Sequence, residues 1–494
     1  MFILANGCNG HFEGEFCQGT VENIQTPRDT GKAPRLIRAL GLWSAIAVIV
    51  GSMIGQAVFL VASDMARELG SPTKVLAVWI IGGIVVLFGT FCYAELGAAM
   101  PEAGGDYVYL SRGLSPVCGF LFGWTSSMIM RPGGAAVTAA GLLRFTGFLL
   151  PSVANPIFTW NLTLPFQLQP YQFTFTAAQP LAAGIIVLVT AINYLGVRTA
   201  GHFQIFLTSL KVAAVVAIVI LGLTLGTLSG IHPALITSAA QGSTGAILMA
   251  LVPAMAAYNG FQMLGPLGGE VSDPQRNIPR AVIVGSLLVI SLYVLINWTY
   301  FHILGFSRVA ESHYVASDAV ALLLGNRGAK WITVAMIVSA FGALHASFLS
   351  GPRVPYAMAR DSHFFRFAGR IQPVFHTPSG ALIFQGCIAI LLVLTGTYQE
   401  LYSFQMFAIW GFFGLIAIAL IRLRRKKPAL PRSYRAWGYP WTPLAFGAAA
   451  AAISVNLWLV RPVRSSIGLA VILLGIPFFN FWRRQTLCAK TETI

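Results

Sequence analysis

The sequence predicts an all-α membrane protein with twelve transmembrane helices, and three observations support this fold class. Of the 494 residues, 56% are apolar and only 10% are charged, whereas soluble proteins carry about 25% charged residues. The mean hydropathy is +0.73. Twelve stretches are apolar enough for helical spans of roughly 20 residues. So few charges cannot cover the surface of a soluble chain of this length, which excludes an ordinary soluble enzyme.

The twelve spans follow one another with mostly short polar connections. They are predicted at residues 39–63, 75–100, 117–147, 180–196, 202–229, 243–269, 280–305, 331–352, 378–396, 401–421, 441–460 and 465–482. Residues 1–38 lack the basic and apolar regions of a cleaved signal, so they are interpreted as a cytoplasmic N-terminal tail. Residues 483–494 form the corresponding C-terminal tail.

The basic residues indicate the orientation of these spans. With the N-terminus inside, 22 Lys and Arg residues lie in cytoplasmic segments, 7 lie in outer segments, and Arg131, Arg144 and Lys211 lie within spans. This bias follows the positive-inside rule and predicts a multi-pass protein of the cell (plasma or inner) membrane with both termini cytoplasmic. The net charge of +16 therefore indicates topology rather than nucleic-acid binding, and the basic stretch 422–435 is expected to face lipid headgroups.

Spans one and six carry helix-breaking residues near their centres. Gly51 and Gly55 lie in span one, and Pro253 and Gly260 lie in span six. Proline removes an amide donor and glycine permits left-handed backbone angles, so both spans are predicted to be discontinuous. Because matching breaks five spans apart are typical of an inverted repeat, residues 39–230 form the first repeat, 243–421 the second, and 441–482 two additional helices. Close helix packing is the alternative role for the small residues.

Two such breaks predict a binding site for a zwitterion. A helix starting near Gly55 exposes N–H groups and a positive dipole end, which suit a carboxylate. A helix ending near residues 256–259 exposes carbonyl groups, which suit an ammonium. The two interruptions together would hold both charged groups of one small solute.

Several motifs then resemble one known family. They are Gly51-Ser-Met-Ile-Gly55, Tyr93-Ala-Glu95-Leu-Gly97, Pro101-Glu-Ala-Gly-Gly105-Asp-Tyr107, Asn193-Tyr-Leu-Gly-Val-Arg198, Gly269-Glu270-Val-Ser-Asp-Pro274 and Arg424-Arg-Lys-Lys-Pro428. In this order they resemble the amino acid–polyamine–organocation (APC) superfamily, and most closely its L-type amino acid transporter (light-chain-like) branch. The resemblance covers roughly residues 38–445.

The resemblance implies a LeuT-type fold and a secondary active, sodium-independent amino acid permease. It would work by alternating access, often as an obligatory exchanger (antiporter). A proton-coupled amino acid or amine symporter, a channel, or a non-transporting amino acid sensor on the same fold are the alternatives. The substrate-binding residues implied by the resemblance are Ser52, Met53, Gly55, Gln56, Ala57, Ala256, Ala257, Tyr258 and Asn259.

Several positions depart from the family pattern, among them the one near Phe261, where the usual Trp is replaced. Gln56 and Ala57 stand where the family usually has a Ser-Gly pair, and Ala256 stands where many L-type members carry an aromatic gate residue. The Gln56 amide either binds the substrate side chain or fills space. Because the cavity is reshaped, the sequence does not identify the amino acid or amine that it takes.

Lys211 is the predicted coupling residue. It follows Arg198 by thirteen residues, about 20 Å along a helix, so its ammonium lies near the middle of the bilayer unless it snorkels to a surface. The resemblance places this amine where sodium-coupled relatives hold a sodium ion, next to the unwound backbone of span one. A fixed charge suits exchange and a titrating one suits proton symport, and the sequence does not choose between them.

The remaining intramembrane polar residues have weaker assignments. Glu95 and Glu270 lie near cytoplasmic span ends, where they either contribute to an inner gate or form ordinary helix-end pairs. Arg131 precedes a proline that the family tolerates and is treated as structural or weakly functional. His345 is interpreted as a packed, hydrogen-bonded histidine rather than a coupling residue.

The sequence lacks the parts of an enzyme. It has no phosphate-binding loop, no paired catalytic carboxylates and no metal-ligand spacing among its six cysteines. No catalytic residue, cofactor or metal is therefore expected, and the expected partners are the small-molecule substrate and membrane lipid. The outer loop 148–179 lacks the cysteine that joins light-chain relatives to a heavy chain. No disulfide-linked heavy chain is expected, and the protein is expected to function as a monomer.

Overall fold

A computed structural model describes residues 36–59, 61–162, 171–226, 244–395, 398–460 and 462–491. Most of the N-terminal tail predicted for residues 1–38 lies outside these ranges. Within them the chain is almost entirely helical, as the composition predicts.

The described residues contain seventeen helices, eight of them in the first half of the chain. These eight are α1 (Leu42–Met53), α2 (Val61–Leu69), α3 (Pro72–Ala99), α4 (Asp106–Gly113), α5 (Pro116–Thr125), α6 (Arg131–Leu149), α7 (Ala178–Tyr194) and α8 (Val197–Leu225). A short 3₁₀ turn at Ala57–Phe59 separates α1 from α2, and a π-helical turn at Ser126–Met130 joins α5 to α6. Proline, whose missing N–H costs nothing in a first turn, begins α3 and α5. The Ser115 hydroxyl caps α5 by accepting from the Cys118 amide at 3.2 Å.

The second half contains nine further helices. They are α9 (Thr244–Ala257), α10 (Pro274–Leu304), α11 (Phe306–Glu311), α12 (Val315–Ser350), α13 (Arg353–Arg360), α14 (Ser379–Leu394), α15 (Tyr398–Lys426), α16 (Trp441–Val460) and α17 (Pro462–Thr491). A 3₁₀ segment, Phe261–Glu270, separates α9 from α10. Gly325, at φ +69°, interrupts α12. Helix α17 continues into the predicted C-terminal tail at 483–494.

A two-stranded hairpin is an addition to the predicted all-α fold. Strands β1 (Pro156–Leu162) and β2 (Tyr171–Thr176) pair antiparallel, with Thr159 opposite Thr174. The Phe158 and Phe175 rings stack with their centroids 4.9 Å apart. The sequence analysis placed only a connection here, because a search for apolar stretches of about 20 residues does not detect strands of six or seven.

Helix occupies part of each of the twelve predicted spans. Seven helical segments within the described ranges are long and apolar enough to cross a membrane. These are α3, α8, α10, the continuous α12–α13 segment, α15, α16 and α17. Helices α1, α7 and α14 are apolar but shorter. The chain is thus a helical membrane protein.

Helix α1 lies at the centre of the bundle and packs against α8, α10 and α12. Trp79 of α3 meets Tyr258 and Tyr293 edge-on, with ring centroids 5.4 and 5.3 Å apart. All three rings are buried. The sixth span is therefore held against α3 and α10 by packed aromatic groups, which positions its interruption beside α1.

Candidate functional site

The first span is interrupted after Met53. Ile54 leaves the helix at φ −76° and ψ 86°, and residues 54–56 are not helical. The Gly55 amide donates to the Met53 carbonyl at 2.9 Å instead of to Gly51, its partner in a continuous helix. The Gly51 and Ile54 carbonyl groups are thereby released for other donors, which an apolar environment requires them to find.

Lys211 supplies those donors. Its side chain is 1% exposed, and Nζ donates to the carbonyl oxygens of Gly51 at 2.9 Å, Ile54 at 2.8 Å and Ser339 at 2.9 Å. An ammonium group has three N–H donors, so every one is used. The expected contact between Lys211 and the unwound backbone of span one is present, and the amine does not snorkel to a surface.

The sixth span is interrupted directly beside the first. Helix α9 ends at Ala257, Gly260 adopts φ +139°, and the chain continues as a 3₁₀ segment. A Cβ atom on Gly260 would lie 2.8 Å from the Met53 amide nitrogen, which is closer than real Cβ atoms approach. Only glycine therefore fits the contact between the two interruptions. The predicted pair of facing breaks is present in the structure.

Tyr293 of α10 connects the two interruptions. Its hydroxyl lies 2.6 Å from the Met53 carbonyl and 3.2 Å from the Ala257 carbonyl, at the last residues of α1 and α9. No feature of the sequence predicted a role for Tyr293. A tyrosine within an apolar span gives no signal that its hydroxyl meets backbone 240 residues earlier in the chain.

A cavity of about 160 Å³ lies at the interruptions. Eight of the nine residues predicted to bind substrate line it: Ser52, Met53, Gly55, Gln56, Ala57, Ala256, Ala257 and Asn259. Tyr258 is not among the lining residues, because its hydroxyl donates to the Trp79 carbonyl at 3.0 Å and its ring packs against α3 and α10. The predicted residues thus supply eight of the 23 lining residues, with Tyr258 supporting them from behind.

Fifteen other lining residues were not predicted to bind substrate, and several of them are buried polar side chains. Asp106, Arg131 and Gln405 all line the cavity and are 2%, 7% and 8% exposed. Asp106 reaches it because Gly105, at φ +51°, packs against the 3₁₀ segment, where a Cβ atom would lie 2.6 Å from the Pro266 nitrogen. The sequence search for intramembrane carboxylates covered only the spans, and Asp106 precedes span three.

Glu270 forms a buried ion pair with Arg353. The guanidinium Nε and Nη2 donate to the two carboxylate oxygens at 2.6 and 2.9 Å, and both side chains are at most 2% exposed. This bidentate geometry joins the end of the sixth span to α13. The Ala39 and Leu40 amides both donate to the Glu270 carbonyl at 2.9 Å, so the start of span one is fixed to the end of span six.

Glu95 organises a second polar cluster at the same predicted cytoplasmic side. Arg424 donates to it in a bidentate pair, with Nε at 2.8 Å from Oε1. Arg432 Nε lies 3.2 Å from Oε1, and the Ala436 amide donates to Oε2 at 2.7 Å. Glu95 thus holds α3, the end of α15 and the loop after it together.

A third polar contact lies outside the spans. The Tyr107 hydroxyl donates to Asp361 Oδ2 at 2.7 Å and lies 3.4 Å from His363 Nδ1. Burial raises the pKa of the Tyr107 phenol, and the Asp361 charge raises it further. Burial also lowers the pKa of His363. Tyr107 therefore remains a donor at neutral pH and ties α4 to the segment after α13.

His345 is packed and hydrogen-bonded, in agreement with its interpretation from sequence. Its Nδ1 lies 2.7 Å from Gln204 Oε1, and both residues are completely buried. Gln204 and Thr208 also approach Gly51 so closely that a Cβ atom there would overlap them. Among the described residues no group of three or more His, Cys, Asp or Glu side chains is placed to hold a metal ion.

Comparison with known proteins gives a family match over most of the chain. The family model described as "Amino acid permease" matches residues 40–479. This range includes both helix interruptions, Lys211 and the cavity.

Individual relatives are similar over nearly the same length. The b(0,+)-type amino acid transporter 1 of Oryctolagus cuniculus is 31% identical over 82% of this chain and 80% of its own length. The serine/threonine exchanger SteT of Bacillus subtilis is 29% identical over 91% and 98%. The large neutral amino acids transporter small subunit 2 of Mus musculus is 30% identical over 93% and 84%.

Proposed function

The chain belongs to the amino acid permease family, and from this premise we propose that it is a sodium-independent amino acid exchanger that works by alternating access. Membership of the family and the names of its relatives make it an amino acid transporter and not an enzyme. Exchange and independence from sodium are the finer parts of the proposal. They are supported by the name of the exchanger SteT and by the contacts of Lys211.

The contact between Lys211 and the broken first span carries the proposal. The Gly51, Ile54 and Ser339 carbonyl oxygens all accept from one ammonium group. Oxygen ligands of this kind also bind small cations, so the lysine amine occupies the position that a coupling ion would need. An amine tethered at this position supports a transport cycle that needs no sodium ion.

The facing interruptions supply the proposed site for the α-amino and α-carboxylate groups. We infer that backbone amides at residues 56 and 57 hold the carboxylate, and that carbonyl groups at the end of α9 hold the ammonium. Ser52, Met53, Gln56, Ala256, Ala257 and Asn259 surround the bound molecule. Tyr258 supports these residues from behind and does not line the cavity.

Glu95 and Glu270 support a gate at the predicted cytoplasmic side. The Glu270–Arg353 pair joins the sixth span to α13, and Glu95 joins α3 to the loop after α15. We propose that opening toward the cytoplasm separates elements that these carboxylates hold together. The two pairs would then re-form in each cycle.

The wider architecture is part of the same proposal. We propose twelve spans in two inverted repeats, 39–230 and 243–421, followed by two helices in 441–482. The charge bias of the sequence supports a cell-membrane protein with both termini in the cytoplasm. Because the outer loop 148–179 contains no cysteine, no disulfide-linked heavy chain is proposed, and the transporter would function as a monomer.

Uptake into proteoliposomes tests the function. The purified protein is reconstituted with or without internal amino acid, and entry of radiolabelled amino acids is measured in sodium or choline buffer. Uptake that requires internal amino acid and is equal in both buffers is the expected result. Uptake driven by a pH step into empty vesicles would identify a proton symporter instead. Saturable binding without any uptake would identify a sensor.

A further inference from the structure

One wall of the cavity carries polar groups that the α-amino and α-carboxylate groups of a substrate do not use. Helices α4, α6 and α15 contribute Asp106, Arg131 and Gln405 to it. All three side chains are more than nine-tenths buried. Burial of a polar group is costly unless it is hydrogen-bonded. A polar atom on this wall without a hydrogen-bond partner is therefore a candidate contact for the ligand.

The charged pair is only partly satisfied within the described part of the chain: Asp106 interacts with the Tyr93 hydroxyl and with the charge of Arg131, but hydrogen-bonding capacity remains. Asp106 Oδ1 is buried and has no hydrogen-bond partner there. The hydrogen-bond contact of Arg131 is Nη1 on the Met263 thioether sulfur, which is a weak acceptor. A guanidinium with five N–H donors and a carboxylate oxygen without a donor therefore both face a cavity that can hold a ligand.

Two glutamine amides border the same wall. Gln56 Oε1 and Gln405 Oε1 are buried without a hydrogen-bond partner among the described residues. Both amides pack against glycines of α6: a Cβ atom on Gly141 would overlap Gln56 Oε1, and one on Gly134 would lie 2.9 Å from Gln405 Nε2. Because the oxygen and nitrogen of a glutamine amide can exchange places by a flip, these amides can donate or accept.

The charges of Asp106 and Arg131 select the chemistry of the ligand, most strongly above neutral pH because burial raises the pKa of Asp106 to about 7. A cationic side chain would satisfy Asp106 but meet Arg131, and an anionic one would satisfy Arg131 but meet Asp106. An apolar side chain would leave Asp106 Oδ1 and N–H groups of Arg131 without hydrogen-bond partners, although the two charges still attract each other; unmade hydrogen bonds are unfavourable in a buried site. A primary carboxamide has an oxygen that accepts from Arg131 and an NH₂ group that donates to Asp106.

We propose that Asp106, Arg131 and Gln405 form a side-chain subsite that selects amino acids ending in a primary carboxamide, namely glutamine and asparagine. The inference rests on the proposed transport function, since the interruptions must hold the α-groups of the same molecule. Gln56 closes the subsite on the side of span one. The missing volume at Ala256 gives the longer side chain room to lie across the cavity.

An isostere series tests the subsite in the wild-type transporter. Glutamine, glutamate and methionine have side chains of similar length and differ at their ends, and alanine has no polar end. Exchange is measured in proteoliposomes by competition against radiolabelled alanine. Glutamine is expected to compete about tenfold or more better than either methionine or glutamate. Equal competition by all three would overturn the subsite while leaving the transport function standing.

Substitutions of the subsite residues test which side chains produce the preference for glutamine. Arg131→Met and Asp106→Leu are each expected to bring the affinity for glutamine within about threefold of that for methionine, as measured by ligand-induced thermal shift. Arg144→Met, an exposed arginine of the same helix, is the matched control and should keep the glutamine preference. Retention of the preference in Arg131→Met would overturn the subsite. If a variant does not fold, the wild-type series alone decides. Failure of wild-type protein to exchange any amino acid, alanine included, would overturn the proposed function and the subsite with it.

Discussion

Lys211 combines two roles in one side chain, because its ammonium stabilises the broken backbone of span one and also supplies a positive charge beside the site. Replacement with alanine is expected to leave the fold intact but to reduce exchange. Hydrogen bonds to a charged group contribute about 1.5–3 kcal/mol each, so uptake should fall by about tenfold or more.

The measurement is the initial rate of amino acid exchange in proteoliposomes, with thermal unfolding in detergent as a check of folding. Lys330→Ala, at an exposed lysine of α12, is the matched control. Wild-type kinetics in Lys211→Ala would remove the lysine from the mechanism.

Tyr293 is expected to hold the two interruptions in register. Tyr293→Phe keeps the ring and removes the hydroxyl that meets the Met53 and Ala257 carbonyls. Stability should decrease by about 1 kcal/mol, and substrate affinity should decrease with it because both helix ends border the cavity. Thermal unfolding and ligand-induced thermal shift are the readouts.

Tyr300→Phe provides a close comparison for this substitution. Tyr300 lies on the same helix, is equally buried, and its hydroxyl has no hydrogen-bond partner in the described ranges. Its loss should be neutral or slightly stabilising. If the two variants behave alike, the hydroxyl of Tyr293 does not hold the interruptions together.

At the residue scale the sequence predicted the groups whose chemistry is unusual in a membrane. Lys211 was found because a buried ammonium must have a partner. Tyr293 and Asp106 were not found, for different reasons. A tyrosine is ordinary in an apolar span, and Asp106 precedes its span and reaches the cavity only through the backbone angles of Gly105.

At the scale of elements, the contact between the interruptions of spans one and six can be tested by adding one Cβ atom at Gly260. Gly260→Ala combines a positive φ, which costs a non-glycine residue about 1–2 kcal/mol, with a Cβ atom 2.8 Å from the Met53 amide nitrogen. The two breaks must then separate, and substrate binding should be lost, as measured by ligand-induced thermal shift.

The variant Gly325→Ala tests the effect of backbone strain without a new steric contact. Gly325 also has a positive φ, but nothing lies within 4 Å of the position of its missing Cβ. That variant should lose a similar amount of local stability and retain binding. Binding lost to the same extent in both variants would mean that the contact with α1 is unimportant.

The Glu270–Arg353 pair is predicted to hold span six and α13 together. Removing one partner of a buried pair costs about 3–5 kcal/mol, so Arg353→Met should strongly lower the unfolding temperature. The double variant Glu270→Leu/Arg353→Met leaves no unpaired charge and should recover much of this loss. If the pair also gates, turnover in the recovered double variant should still differ from wild type.

An exposed pair calibrates this measurement. Arg112 and Glu102 form an ion pair in which both side chains are about half exposed, and such pairs contribute about 0–1 kcal/mol. An unfolding temperature for Arg353→Met as high as that for Arg112→Met would contradict the importance of the buried pair.

The order of helices and both interruptions followed from sequence because apolar length, proline and glycine act locally. The hairpin did not follow from the sequence, because its strands are short and lie in a connection between two spans. The partners Arg353 and Arg424 also could not be assigned, because they lie 83 and 329 residues from Glu270 and Glu95. A pairing over such distances depends on the packed fold and not on any local pattern.

At the scale of the whole molecule, the charge bias predicts one orientation in the membrane. In a cysteine-free variant, a single cysteine introduced as Arg308→Cys in α11 should react with a membrane-impermeant reagent added to intact cells. Arg425→Cys, in the last turn of α15, should react only after the membrane is opened. Both side chains are exposed, so access to the reagent depends on the side of the membrane. The reverse labelling pattern would invert the topology.

The cluster around Glu95 changes how strongly the molecule should respond to bilayer composition. Of the seven basic residues between 422 and 435, Arg424 and Arg432 are bound to that carboxylate. Arg422, Arg425, Lys426, Lys427 and Arg435 remain exposed. Each exposed cation near an anionic leaflet contributes about 1 kcal/mol of attraction. Phosphatidylserine or phosphatidylglycerol should therefore strengthen the membrane attraction of this face through five charges. Arg424 and Arg432, which are bound to Glu95, should contribute little to that attraction.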